Sequence, residues 1–190
     1  LARQELPLSY RTHPVVLGTV IFIASETMFF SALFATYFNL KARSLVWPPP
    51  YAAHVDVVGP SLGTFFLLCS SATMFPLLRT LRKRDFRAAY AWLYAAILGG
   101  MGYIVIAMDG YSKQHFRFNT GAYAGVYLTM TGFHLLHVIA GVILMAGLYL
   151  ALHSPAFRAD DHGGAEAISY YWHFVTVMWL GIYSTIYWIR

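Results

Sequence analysis

The sequence predicts an all-α protein, a bundle of five transmembrane helices, on three observations. Of its 190 residues 58% are hydrophobic and 11% charged, where soluble domains carry about 25% charged residues. Five apolar stretches, 15–38, 57–78, 88–108, 122–151 and 167–189, each reach the roughly 20 residues that a helix rising about 1.5 Å per residue needs to cross hydrocarbon about 30 Å thick. Of the 13 basic and 8 acidic residues, only Glu26 lies inside these stretches. A bilayer demands such segregation, because a charge at its centre costs at least ~2.5 kcal/mol. Lipid offers the backbone no hydrogen bonds, so each stretch must be helical.

Taken in order, the first stretch follows a polar lead and has no small-residue cleavage site at its end, so it is expected to stay in the membrane. Trp47-Pro48-Pro49-Pro50 then stops it. The second carries the single cysteine, Cys69, which leaves no partner for a disulfide, a Cys-x-x-Cys pair or a thiolate-ligated cluster. Pro76, near its end, is expected to kink the last turn. A short basic connection with Arg79, Arg82, Lys83, Arg84 and Arg87 leads to the third stretch, and Asp160-Asp161-His162-Gly163-Gly164 forms a polar turn before the fifth. Gly59 with Gly63, and Gly121 with Gly125, have the four-residue spacing that lets helices approach closely. No repeat or soluble insertion divides the chain, so residues 1–190 are read as one domain.

Eight of the 13 basic residues fall on the side that holds the Arg79–Arg87 connection, which predicts a cytoplasmic N-terminus and an outer C-terminus. The net charge of +5 sits in short loops beside spans, which argues for membrane orientation and against nucleic acid. Tyr37, Trp47, Tyr51, Tyr90, Trp92, Tyr111, Tyr170, Tyr171, Trp172 and Trp188 gather near the predicted span ends, as interfacial anchors do.

Glu26 falls near the midplane of the first span, where an ionised carboxylate is costly. With no lysine or arginine in any span, it is expected to be protonated, either as a structural hydrogen-bonding acid or as a proton relay. His134 and His137 lie three apart on one helix and His173 on the next. They either bind a metal or haem, or hydrogen-bond across helices; the second is preferred, because ligands on one face do not oppose each other across a haem. Glu166 suits the positive end of the last helix as a cap. No Walker loop, dinucleotide fingerprint, nucleophile elbow or His-Glu-x-x-His helix occurs, so no catalytic residue and no metal ligand is assigned to this chain.

In order along the chain, these residues resemble subunit III of the haem–copper respiratory oxidases. Ser25-Glu26-Thr27-Met28-Phe29-Phe30 is similar to that family's Ser-Glu-x-x-Phe-Phe segment, and Trp47-Pro48-Pro49 with His54 to its first outer loop. Thr131-Gly132-Phe133-His134 with His137-Val138 resembles its Thr-Gly-x-His-Gly-x-His-Val signature, and Glu166 with Tyr171-Trp172-His173-Phe174-Val175 its last helix. The chain resembles the five-helix bacterial form, which lacks the first two helices of the mitochondrial one. Leu135 stands where the family usually has Gly, Thr176 where Asp follows Tyr-Trp-His-Phe-Val, and Gly110 where Glu is common.

The resemblance implies a chain without redox centres in the plasma membrane of a bacterium. It would pack directly on catalytic subunit I, beside subunit II and small accessory subunits, in some organisms within a respiratory supercomplex. Haem and copper belong to the partner subunits. The complex reduces dioxygen and pumps protons; this chain is expected to stabilise subunit I, bind phospholipid and support proton uptake. Arg79, Arg82, Lys83, Arg84, Trp47 and His54 are the candidates for lipid headgroups. The alternatives are subunit III of a quinol oxidase, an independent haem-binding membrane protein using His134, His137 and His173, and a proton-coupled transporter built on Glu26. The last would be expected to show repeats and paired broken helices, which are absent.

Overall fold

A computed structural model describes residues 13–52, 56–114, 117–153 and 162–189. Five helices follow one another: α1 (Pro14–Arg43), α2 (Val58–Arg82), α3 (Phe86–Ser112), α4 (Ala122–Leu152) and α5 (Gly163–Tyr183). A 3₁₀ turn, Pro50–Ala52, follows α1, and a π-helical turn, Ser184–Trp188, extends α5. No strand occurs among the described residues. The protein is an all-helical, multi-pass membrane bundle.

Most helices run past the apolar stretches that announce them, because a helix need not stop where hydrocarbon does. Pro14 and the His13 ring, which accepts the Val15 N–H, start α1, and Lys41 and Arg43 sit in its last turn, where cations suit the helix dipole. Asp56 accepts the Val58 and Gly59 N–H groups at the start of α2, and Asp85 caps α3 through Ala88. Arg84, at φ 59°, makes the left-handed step between α2 and α3. Pro76, expected near a helix end, instead lies inside α2, which continues to Arg82.

Helices α1 to α4 are long and apolar enough to cross a bilayer. The fifth carries Glu166, His173 and several tyrosines among its apolar residues and packs on α1, α2 and α4. It still runs the full height of the bundle. Glu166 in its first turn pairs with Arg82 at the end of α2, while Tyr187 reaches Tyr127 near the start of α4 and the Lys41 ammonium meets the Ile189 carbonyl.

The core centres on Trp172 of α5, which has none of its surface exposed. A Cβ on Gly141 of α4 would lie 2.5 Å from this indole, and one on Gly100 of α3 would lie 3.0 Å from it. Its N–H donates to Ser70 Oγ of α2 at 3.0 Å, and Ser70 donates to the Ala96 carbonyl of α3 at 2.6 Å. Trp172 is therefore no interfacial anchor, and the expectation from its position is corrected. Buried Tyr37 departs from the anchor pattern too: its hydroxyl donates to the Thr185 carbonyl.

The glycine pairs divide. Gly63 faces Tyr103 of α3, and a Cβ on Gly59 would meet Asp56 at 3.3 Å with Ile106 beside it, so this pair borders the α2–α3 contact. Gly121 instead lies against the Tyr51 hydroxyl and Gly125 faces open space, so that pair brings no helices together.

Two substitutions test this seat. Trp172→Ala should cost about 3–5 kcal/mol through cavity and lost hydrogen bond, read as a lower unfolding midpoint in detergent. Gly141→Leu should abolish the monodisperse species in gel filtration, whereas Gly147→Leu, at a position with open space, should not.

Candidate functional site

The intramembrane polar side chains are the groups that lipid cannot hydrate, and those described below bond to another helix or to their own backbone. The hydroxyls of Thr27 and Ser31, beside Glu26, donate to the Ile23 and Thr27 carbonyls of their own helix. Glu26 cannot satisfy itself this way. Its Oε2 lies 3.1 Å from His137 Nε2 of α4.

The reading of Glu26 as an acid without a basic partner is thereby overturned. His137 Nδ1 lies 2.7 Å from the Phe133 carbonyl, which can only accept, so Nδ1 carries a hydrogen. A single proton between His137 Nε2 and Glu26 Oε2 completes this hydrogen bond. Wherever it sits, on the carboxyl or on the ring, the pair has no net charge, which removes the main cost of placing an acid at mid-membrane. The Tyr171 hydroxyl donates to the His137 carbonyl at 3.0 Å, and the Phe30 ring lies edge-on to the imidazole.

This pair is at the bundle's perimeter. The side chains are 20% exposed for Glu26 and 14% for His137, enough for a neighbouring chain or lipid to reach them. His134, three residues earlier, turns inward and is fully buried. Its Nε2 donates to the Val175 carbonyl of α5 and its Nδ1 accepts from the Tyr103 hydroxyl of α3, both at 3.1 Å. Both nitrogens are engaged, with the tautomer set by the carbonyl. His173 pairs through Nδ1 with the Ser71 hydroxyl of α2 at 2.6 Å, and the Phe75 ring lies beside it. Three histidines thus tie α4 to α1, α4 to α3 and α5, and α5 to α2. No group of three metal-ligating side chains forms among the described residues.

At the opposite membrane face from the C-terminus, Glu166 occupies the first turn of α5, and Arg82 reaches it at 2.7 Å. Arg79, Lys83 and Arg84 are exposed on the same rim. Trp47 directs its indole N–H to the Tyr37 hydroxyl and its ring onto Tyr123, so it is part of an aromatic cluster, with its donor engaged inside the protein. His54 lies outside the described residues. Sequence reasoning missed Tyr103, Ser70 and Ser71, and it placed Tyr171 among the interfacial anchors, whereas the ring is buried and its hydroxyl holds the His137 carbonyl. The signal available for them was hydroxyl chemistry within apolar spans, which has to find a partner.

Residues 10–190 match the profile of the family described as cytochrome c oxidase subunit III. The chain belongs to the cytochrome c oxidase subunit III family. It is similar to the probable cytochrome c oxidase subunit 3 of Nocardia farcinica, at 35% identity over 187 residues, covering 95% of this chain and 90% of that one. The cytochrome c oxidase subunit 3 of Thermostichus vulcanus is 32% identical, with 90% and 86% covered. That of Dugong dugon is also 32% identical, but this chain covers 68% of its length. The subunit III motifs lie at the helix junctions described above: Glu26 meets the second histidine of the Thr131–Val138 segment, and Tyr171 donates to that histidine's carbonyl.

Glu26→Gln should leave the midpoint of thermal unfolding nearly unchanged, since the amide can donate to His137 Nε2. His137→Ala should cost about 1–3 kcal/mol by stranding the carboxyl, and Glu26→Leu with His137→Leu should recover most of that loss. A double variant less stable than His137→Ala would show that the pair does more than satisfy itself.

Proposed function

We propose that this chain is the non-redox subunit III of a bacterial cytochrome c oxidase, packed on the catalytic subunit that holds haem and copper. The observation that carries this reading is the use of its intramembrane histidines. Both nitrogens of His134 and both of His137 are engaged, and His173 is held to α2 through Nδ1. A haem or copper ligand must instead offer a free lone pair toward the metal. The chemistry of dioxygen reduction then resides on the partner subunits, and this chain's contribution is mechanical and electrostatic.

A rigid bundle with a lipid-compatible perimeter suits the support of a catalytic neighbour. Helix α1 exposes an almost wholly apolar face, and the neutral Glu26–His137 pair on its flank adds one shared proton at mid-membrane depth. Such a pair can hold a neighbouring helix by hydrogen bond without introducing charge. The basic rim with Arg79, Lys83 and Arg84 faces the cytoplasm in the orientation that eight of 13 basic residues favour. There it would hold anionic phospholipid headgroups and keep the proton-uptake side of the complex ordered.

Affinity purification of the tagged chain in mild detergent should bring down a larger subunit with a reduced-minus-oxidised haem spectrum. Stripping the chain from that complex should leave the spectrum with the partner and shorten the number of turnovers before inactivation. A haem band that stays with the stripped chain, or a partner whose turnover is unaffected by its loss, would refute the support reading. A reporter fused at Arg190 should be active on the outer side.

A further inference from the structure

A cavity of about 300 Å³ lies between α2, α3, α4 and α5, at the end of the bundle where α3 and α5 finish. No contact of the Glu26–His137 site borders it. Tyr103, Thr131 and Trp179 line its deeper part, and Gly59 and Gly63 border it with Tyr103 and Ile106 packed against them. Tyr103 and Trp179 meet edge to face, with centroids 5.0 Å apart, so the two rings form one continuous aromatic part of the lining.

Its polar atoms are specific. The Gln114 side-chain nitrogen donates to the Tyr127 hydroxyl at 2.6 Å, while Gln114 Oε1 is buried with no hydrogen-bond partner. Exchanging oxygen and nitrogen of the amide leaves the nitrogen unpaired instead, so one atom of Gln114 needs a partner in either orientation. A hydroxyl serves both cases, because it donates and accepts.

The charges at the mouth decide against an anion. Asp56 accepts the first N–H groups of α2, and Lys113 is 2.5 Å from Asp109. That carboxylate holds the Lys113 ammonium above the ordinary lysine range, so the cation among the lining residues is matched by Asp109, with Asp56 a second carboxylate in the lining. A phosphate headgroup would meet two carboxylates there against one ammonium already paired. A flat, neutral ring gains from the aromatic walls, and amphipathic rings concentrate in the headgroup zone where the mouth opens.

We propose that this cavity binds a neutral aromatic ring bearing a hydroxyl group, a small molecule of the phenol class, with the hydroxyl on Gln114 and the ring against Tyr103 and Trp179.

The test uses the assembled complex in detergent and a hydroxyphenyl trifluoromethyl diazirine as a photoreactive probe, with adducts located by peptide mass spectrometry. Labelling of the Tyr103 and Trp179 peptides should saturate and be suppressed by excess phenol. Gln114→Leu should weaken half-saturation about tenfold by removing one hydrogen bond. Ala107→Leu, which adds bulk to the cavity wall, should remove labelling while the complex elutes unchanged. Gln114 lies beyond the end of α3, so its variant keeps the test informative should Ala107→Leu fail to assemble. Labelling that rises linearly with probe, or is equal for the analogue without the hydroxyl, or is unchanged in Gln114→Leu, would overturn the proposal. So would a map of the phenol-saturated complex in which ordered water alone fills the space.

Discussion

The Trp172 indole fills a space that exists because Gly100 and Gly141 have no side chains, and its N–H reaches Ser70 on a third helix. In water such a ring would be driven inward by the hydrophobic effect. In a bilayer that drive is absent, because lipid tails are as apolar as the protein interior. What remains is dispersion, gained only where atoms touch at close range, and one hydrogen bond that lipid cannot replace. Shape complementarity around one ring therefore sets how α2, α3, α4 and α5 stand relative to one another. The polar pairs at other depths depend on that arrangement, since a shift of an ångström at the ring would move His134 off Tyr103 and Val175.

Those pairs act as locks on a packing that apolar contact alone leaves loosely specified. Any Leu–Leu contact can slide at small cost, but an imidazole that has left its carbonyl is stranded in hydrocarbon. His134 fixes α4 to α3 and α5 at once. Ser71 with His173 fixes α2 to α5, and Trp179 N–H on Thr64 Oγ repeats that tie nearer the other end. Helix α1, outermost and least enclosed, has Glu26–His137 toward α4 and Tyr37 toward the end of α5. Each lock joins elements distant in sequence, so the fold resists rearrangement without needing a charged group at the centre.

How much was legible in the sequence follows from which property was local. Five apolar stretches announced five helices, because length and charge exclusion are properties of each segment alone. Direction was not legible from position along a stretch: Trp172 lies near one end of the stretch that begins at 167, yet its ring turns into the bundle, where Gly100 and Gly141 leave room for it and Ser70 accepts its N–H. Partners were not legible at all. His134 and His137 share roughly one side of a helix, yet that side faces two different clefts, and only packing says which ring enters which. Gly121 and Gly125 have the spacing of a contact pair but no helix opposite them, whereas Gly100 and Gly141, unpaired in sequence, meet the same ring.

The same logic separates the two histidines of the Thr131–Val138 segment by what each can do. At His134 every lone pair and hydrogen is matched inside the protein, so moving a proton there would break a bond that holds three helices. At His137 one proton is shared with Glu26 across a pair that remains neutral in either arrangement, and the pair reaches the perimeter. A proton can shift along that one hydrogen bond with no change of net charge and no loss of helix packing. A response of this bundle to a neighbouring chain at mid-membrane depth can therefore run through Glu26 and His137, which combine contact with the outside and freedom to redistribute a proton.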